Sequence, residues 1–289
     1  MREHLNANAF ANLLCMLAGS SPEPHLVVEG EYDEKALKRH LVGDLKVVAG
    51  QGGRQNILNA AHLVQRRGFK RVRFLVDRDY DQFDPNAKEL PPNVIMSRSH
   101  DLFTDLIRAN PSSIDSLVEI LGIGRGGGDS WGDKARAVGR NAFRIAGMLG
   151  AVRIVAVREE LALNFTAVNL AGKLGGAGSI AEIVEFLLMA NRRPDLDAAE
   201  LAAEAEEVFS DHLDSLDYIV GDHDLLDAIA GQLRGLGIKI GKQELQRMYT
   251  YGVDCSSVKG SSWFMGLRAW CRELGVEGFD CARVEVLAA

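Results

Sequence analysis

Acidic residues stand at the ends of two apolar, β-branched runs, and this placement constrains the fold more than any other feature of the chain. His25-Leu-Val-Val runs into Glu29-Gly30, and Arg71-Val-Arg-Phe-Leu-Val76 runs into Asp77-Arg-Asp-Tyr-Asp81. Short apolar runs bounded by turn residues read as buried strands. Between them, Asp33 through Leu41 carries Ala36, Leu37 and Leu41 at helical spacing. Leu45 to Ala49 is a further strand, closed by Gly50-Gln-Gly-Gly53, and Gln55 to Arg67 is a helix with Ile57, Leu58, Ala61 and Leu63 or Val64 on its apolar stripe. After a loop bearing Pro85, Pro91 and Pro92, Asn93 to Ser97 reads as a fourth strand and Leu102 to Arg108 as a helix. Strands alternating with helices predict an α/β fold with a mostly parallel sheet flanked by helices. Ligands of such sheets bind beyond the carboxyl ends of the strands, which is where these acids fall.

Beyond Pro111 the pattern changes. Helical stripes dominate over 117–121, 135–149, 180–189, 198–216, 225–236 and 262–274, and the glycine-rich stretches Gly122–Gly128 and Gly172–Gly178 read as loops. The expected organisation is a catalytic α/β domain over 1–110, followed by a mainly helical C-terminal domain over 111–289 for partner contact or dimerisation. No internal repeat is visible.

Charge narrows the function classes. The net charge is −7, with 15 Lys/Arg against 14 Asp/Glu in residues 1–110 and 18 against 26 in residues 111–289. A negative balance argues against non-specific coating of nucleic acid. It leaves room for an enzyme whose metal site and local basic face do the binding. Arg66, Arg67, Lys70, Arg71 and Arg73 form one local cluster, read most simply as a solvated helix end and strand edge. No apolar run reaches the ~18–20 residues of a membrane helix, and the start lacks the basic-then-apolar order of a secretory signal. The expectation is a cytoplasmic, reduced protein with no membrane contact. Cys15, Cys255, Cys271 and Cys281 have no C-x-x-C spacing, so they read as small core residues, with neither a disulfide frame nor a zinc site suggested.

Glu29, Asp33, Asp77 and Asp79 are the candidate metal ligands. Carboxylates crowded together repel one another and raise their proton affinities, a cost that a cation relieves. A hard oxygen set without His or Cys favours Mg2+ (or Mn2+). Asp81 is a further ligand or a loop anchor. Arg54, after the glycine turn, and Arg78 are candidate phosphate contacts. His100 and Asp101, after the fourth strand, either touch metal or substrate or, for Asp101, cap the following helix. His212, His223 and Asp224 read as capping and local packing rather than ligands. Tyr249, Tyr251, Trp263, Phe264 and Trp270 have the faces to stack bases, but the helical spacing of Phe264, Leu267 and Trp270 favours a core role.

The conjunction of V-E-G-x-x-D, a glycine-rich turn and a hydrophobic strand ending D-R-D-Y-D resembles the Toprim domain, the catalytic fold of topoisomerases, bacterial primases and OLD-family nucleases. The resemblance implies Glu29 as general acid/base or metal ligand, Asp77 and Asp79 as the metal-binding D-x-D pair, and Asp33 as the second acid of OLD-type nucleases. Ser97-Arg-Ser-His-Asp-Leu-Phe, Tyr218 to Leu226 and Trp263 to Trp270 are similar to later segments of stand-alone, OLD-related Toprim proteins of bacteria. That group includes the toxic effector of PARIS-type anti-phage defence systems, which pairs with an ABC-type ATPase. The resemblance therefore implies a metal-dependent endonuclease acting on RNA, tRNA or DNA under control of a separate ATPase. No G-x-x-x-x-G-K-[ST] occurs in the sequence, so ATP use would fall to that partner. Two departures stand out: Arg54 follows the glycine turn where relatives often carry a lysine, and Phe103 follows His-Asp-Leu where they carry an acid. The competing reading is a catalytically silent Toprim-fold module that assembles with the ATPase. A haloacid-dehalogenase phosphatase also uses D-x-D after a strand, but Tyr80-Asp81 and the V-E-G unit speak against it. A homodimer is the default oligomer.

Overall fold

The computed structural model describes residues 6–123, 131–168, 170, 172 and 178–281, and these divide into two compact units. The first comprises 1–78, 88–110 and 250–289; the second comprises 79–87 and 111–249. This differs from the expected division at residue 110. The described residues from Thr250 onward return to the α/β unit, and the short stretch after Arg78 joins the helical one.

The α/β unit opens with α1 (Ala7–Ser20), followed by β1 (His25–Val28), α2 (Glu31–Lys38), β2 (Lys46–Ala49), α3 (Gly53–Arg66), β3 (Val72–Val76), β4 (Val94–Met96) and α4 (Leu102–Ala109). The four strands form one parallel sheet in the order β2-β1-β3-β4, with Val27 opposite both Val48 and Phe74. Successive strand side chains point to opposite faces. Val27, Val72, Phe74 and Val76 pack with Phe10 and Leu14 of α1 and with Ile57, Ala61 and Val64 of α3. Leu26, Val28 and Leu75 alternate with them and are equally buried. Burial on both faces is why these strands read as continuous apolar runs.

Gly52 and Gly53 both take positive φ, 77° and 76°, in the turn from β2 into α3. That left-handed backbone suits glycine, and it delivers Arg54 to the first turn of α3, at the carboxyl edge of the sheet. α1 was not anticipated: it caps with Asn6, whose Oδ1 accepts the Ala9 N–H at 3.0 Å.

The C-terminal return adds α11 (Cys255–Gly260) and α12 (Phe264–Glu273), preceded by α10 (Lys242–Gly252), within which the boundary between units falls. Phe264, Leu267 and Trp270 are buried as the helical spacing implied, and Trp270 Nε1 donates to the Lys70 carbonyl at 3.0 Å. Beyond α12 the chain pairs Phe279 with Leu41, and the Asp44 carboxylate accepts the Glu277 and Gly278 N–H groups at 2.9 and 3.1 Å. Cys255 and Cys281 are joined as a disulfide, against the expectation of four unpaired core cysteines; Cys15 and Cys271 are unpaired.

In the helical unit, α6 (Trp131–Arg158, 28 residues) packs against α5 (Ser112–Ile123), α7 (Ile180–Asn191), α8 (Ala198–Asp211) and α9 (Asp222–Gly235). A Cβ on Gly150 would lie 2.0 Å from the Ile219 carbonyl oxygen, so glycine sets how closely the chain before α9 approaches α6. Gly122 and Ile123, expected in a loop, extend α5. Residues 124–128 and 173–177 of the two glycine-rich stretches lie outside the described residues. Among the described residues no helix is long and apolar enough to cross a membrane.

Candidate metal centre

Four acids of the α/β unit come together at the carboxyl edge of its sheet: Glu29, Asp33, Asp77 and Asp101. Each is held by a backbone N–H. Glu29, the residue after β1, accepts the Asp77 N–H on Oε1 at 3.0 Å, tying the ends of neighbouring strands. Asp33, in the first turn of α2, accepts the Gly30 N–H on Oδ2 at 2.7 Å. Asp77, the residue after β3, accepts the Leu102 N–H on Oδ1 at 2.9 Å, which orients the start of α4 toward it. Asp101 caps α4, its Oδ1 taking the Thr104 N–H at 2.7 Å.

Electrostatics confirm that these groups sense one another. Burial pushes the Asp33 carboxyl up to about 7; the Gly30 N–H opposes this and the charge of Asp101 adds to it. Asp77 is held well above the ordinary carboxylate range, first by burial and then by the charges of Asp33, Glu29 and Asp101, with the Leu102 N–H opposing. Buried acids with acidic neighbours favour the protonated form. The donor set, all carboxylate oxygen, suits a hard divalent cation, and the raised proton affinities of Asp33 and Asp77 mark the charge such a cation would neutralise. The residues present therefore fit Mg2+ or Mn2+.

Arg54 has an internal task. Its Nε and Nη2 donate to the Asp77 carbonyl at 3.2 and 3.1 Å, and Nε lies 3.6 Å from Glu29 Oε1. The guanidinium expected to meet a phosphate thus clamps α3 to the ends of β1 and β3. Arg78 donates its backbone N–H to Ser97 Oγ at 2.9 Å. His100 is buried, with Nδ1 3.1 Å from Asp101 Oδ2, so it orients an acid of the group.

Asp79 and Asp81 fall in the stretch assigned to the second unit. Asp79 has φ 50°, a left-handed conformation rare outside glycine but tolerated by aspartate. Asp81 begins a 3-10 turn, Asp81–Phe83. Nearby, the Tyr80 hydroxyl donates to the Ile219 carbonyl at 3.3 Å, and Phe83 meets the His212 ring edge-on. His212 itself bonds locally, Nδ1 lying 2.9 Å from the Val208 carbonyl. Asp224 does not cap α9; Gly221 takes that position, and Asp224 instead receives two hydrogen bonds from Arg153, at 3.1 and 3.2 Å.

Two acids were undervalued from sequence. Asp101 was open between cap and ligand, and it is both a cap and a member of the acidic group. Asp105 was passed over: it is buried and takes the Arg98 and Ser99 N–H groups at 3.0 and 2.8 Å, fixing the loop that presents His100 and Asp101. The signal for both was the H-D-L-x-x-D stretch directly after the fourth strand.

No protein-family model matches the chain, and no curated protein sequence matches it.

Proposed function

We propose that this chain is a Toprim-type, Mg2+- or Mn2+-dependent phosphodiester hydrolase acting on nucleic acid. One observation carries the reading: Glu29, Asp33, Asp77 and Asp101 share the carboxyl edge of a four-stranded parallel sheet, with Asp33 and Asp101 buried and the proton affinities of Asp33 and Asp77 raised. These four are the residues that would hold the cation. When bound, such an ion polarises a phosphodiester and lowers the pKa of an attacking water. The chain's own groups prepare that step. Backbone N–H donors hold each carboxylate in place, so the site does not reorganise as charge develops. Arg54 fixes the ends of the two central strands, and His100 holds Asp101. Glu29, with Arg54 beside it, is positioned to carry a proton in the reaction.

The same resemblance supports a role as a defence effector controlled by a separate ABC-type ATPase. The test is Mn2+ uptake by calorimetry, together with cleavage of RNA and DNA in Mg2+ or Mn2+, for the parent, Glu29→Gln and Asp101→Asn. Loss of cleavage in both variants is expected. Cleavage at the parental rate in both would refute the assignment, and Mn2+ uptake with no cleavage even beside an ABC-type ATPase would favour a silent binding module.

A further inference from the structure

A second cluster in the α/β unit, separate from the four acids, brings together His40, Cys255 and Cys281. The imidazole Nδ1 lies 3.6 Å from Cys255 Sγ and 3.5 Å from Cys281 Sγ. His40 and Cys281 are buried and Cys255 is half-buried. We propose that, once the Cys255–Cys281 bond is reduced, these three side chains form a binding site for a soft divalent cation of the zinc class.

Three observations carry this. First, the spacing fits. A tetrahedral zinc with Zn–N of about 2.05 Å and Zn–S of about 2.3 Å has an N-to-S edge of roughly 3.5 Å, the separation found here from Nδ1 to each sulfur. Second, the imidazole is oriented as a ligand. Nε2 lies 3.1 Å from the Val253 carbonyl, an acceptor that places the ring proton on Nε2 and leaves the Nδ1 lone pair facing the sulfurs. Metal-bound histidines use their other nitrogen in this way. Third, two thiolates and an imidazole are a soft donor set, chemically distinct from the carboxylate edge.

The chemistry balances as follows. A dithiol reductant supplies two electrons and two protons, the Cys255–Cys281 bond breaks, and the reductant closes its own disulfide. Each thiol then loses its proton to solvent as its sulfur bonds the cation. Water takes the fourth position. The site joins residue 40, at the end of α2, to the start of α11 and to the C-terminal return. Around it, the Asp280 N–H donates to the His40 carbonyl at 2.9 Å. Either covalent bridge or metal would pin that return to the sheet-bearing unit, so the cluster is a staple whose chemistry follows the redox state.

The experiment uses the full chain, reduced, stripped with a chelator and titrated anaerobically with Co2+. One equivalent is expected to bind, with a thiolate-to-cobalt charge-transfer band and tetrahedral d–d bands that Zn2+ abolishes. Cys281→Ser and, at the more exposed position, Cys255→Ser should each lose much of the charge-transfer intensity, whereas Cys271→Ser keeps it. Loss of a second-shell partner alone weakens metal binding by about 10- to 100-fold, so His40→Ala should weaken it at least that much. A reduced chain without the charge-transfer band overturns the proposal. So does a band undiminished in Cys255→Ser, or a cysteine pair that resists the dithiol reductant when thiols are counted by alkylation. Spectra and thiol counts do not depend on catalysis, so failure here leaves the hydrolase assignment standing, and the reverse.

Discussion

In the α/β unit, buried Asp33 and half-buried Asp77 lie among other acids that raise their proton affinity; in the helical unit, Asp195 and Asp224 face arginines. Arg193 beside the exposed Asp195 holds its carboxyl below the usual range, and Arg153 meets Asp224 with two hydrogen bonds. The side chain is the same in all four cases. What differs is the company it keeps when water is withdrawn. Asp195 and Asp224 each meet an arginine, whereas at the sheet edge the acids crowd one another and are held by backbone N–H donors, by Arg54 at Glu29 and by His100 at Asp101. Acids buried beside one another favour the protonated form, which is the physical content of the contrast.

The largest effect that sharpens this contrast is at Asp77. Asp77→Asn keeps an acceptor for the Leu102 N–H but removes the carboxylate most strongly affected by its neighbours. Divalent-cation uptake should be lost, and cleavage should fall by at least about 100-fold, in line with removal of a group that stabilises developing charge. The unfolding midpoint without metal should not fall. Calorimetric uptake equal to the parent would break the comparison.

Asp33 gives the next effect, and its sign can be worked out. Its carboxyl is raised from an ordinary 3.8 to about 7 in the folded chain. Between those values the native state binds more protons than the unfolded state, so the stability associated with this group is complete below pH 4 and is lost as pH rises toward 7 and beyond. Asp33→Asn cannot deprotonate and still accepts the Gly30 N–H. It should stabilise the metal-free chain at pH 8 by on the order of 4 kcal/mol and give little gain at pH 4. Mn2+ should stabilise the parent more at pH 8 than at pH 5, because protons compete for the same oxygens. Denaturant melts across pH check this; parallel profiles for parent and variant would refute it.

These predictions mark how much was readable in advance. The central strands β1 and β3 were legible because a parallel strand covered on both faces is apolar along its length, the half-buried β2 and β4 by their short β-branched and apolar runs, and each expected strand lies within a residue or so of its observed bounds. The positions of Glu29 and Asp77 followed from strand ends, and that of Asp33 from its place four residues after Glu29, in the first turn of the next helix. Membership of Asp101 did not, since a capping aspartate and a metal-site aspartate share one local pattern and only tertiary structure separates them. The C-terminal return was hidden for a related reason: Leu41 with Phe279 and Asp44 with Gly278 are contacts between distant residues, and no local periodicity reports them. Likewise the 26-residue separation of Cys255 and Cys281 matches no ligand motif. Polar α10 carries too few apolar residues for its stripe to stand out.

In the helical unit, the paired acid should behave conventionally. Asp224→Asn breaks a partly buried, two-bonded contact with Arg153, whose guanidinium also lies 4.4 Å from the centre of the Phe165 ring. The stacking remains, so the cost is that of a charge-assisted hydrogen bond, about 1–2 kcal/mol, seen as a lower denaturant midpoint with unchanged metal uptake.

Asp195→Asn gives the smallest effect and the cleanest control. Its exposed carboxylate meets Arg193 two residues away, with contacts of 2.8 to 3.0 Å. Pairs of this kind gain little because water and salt screen both charges. The unfolding midpoint should stay within experimental scatter at neutral pH, in low and high salt alike, and Mn2+ uptake should match the parent. An Asp195→Asn chain that lost metal uptake as Asp77→Asn is expected to would show that cation binding follows total negative charge rather than the buried acids at the sheet edge, and the contrast between the units would fail with it.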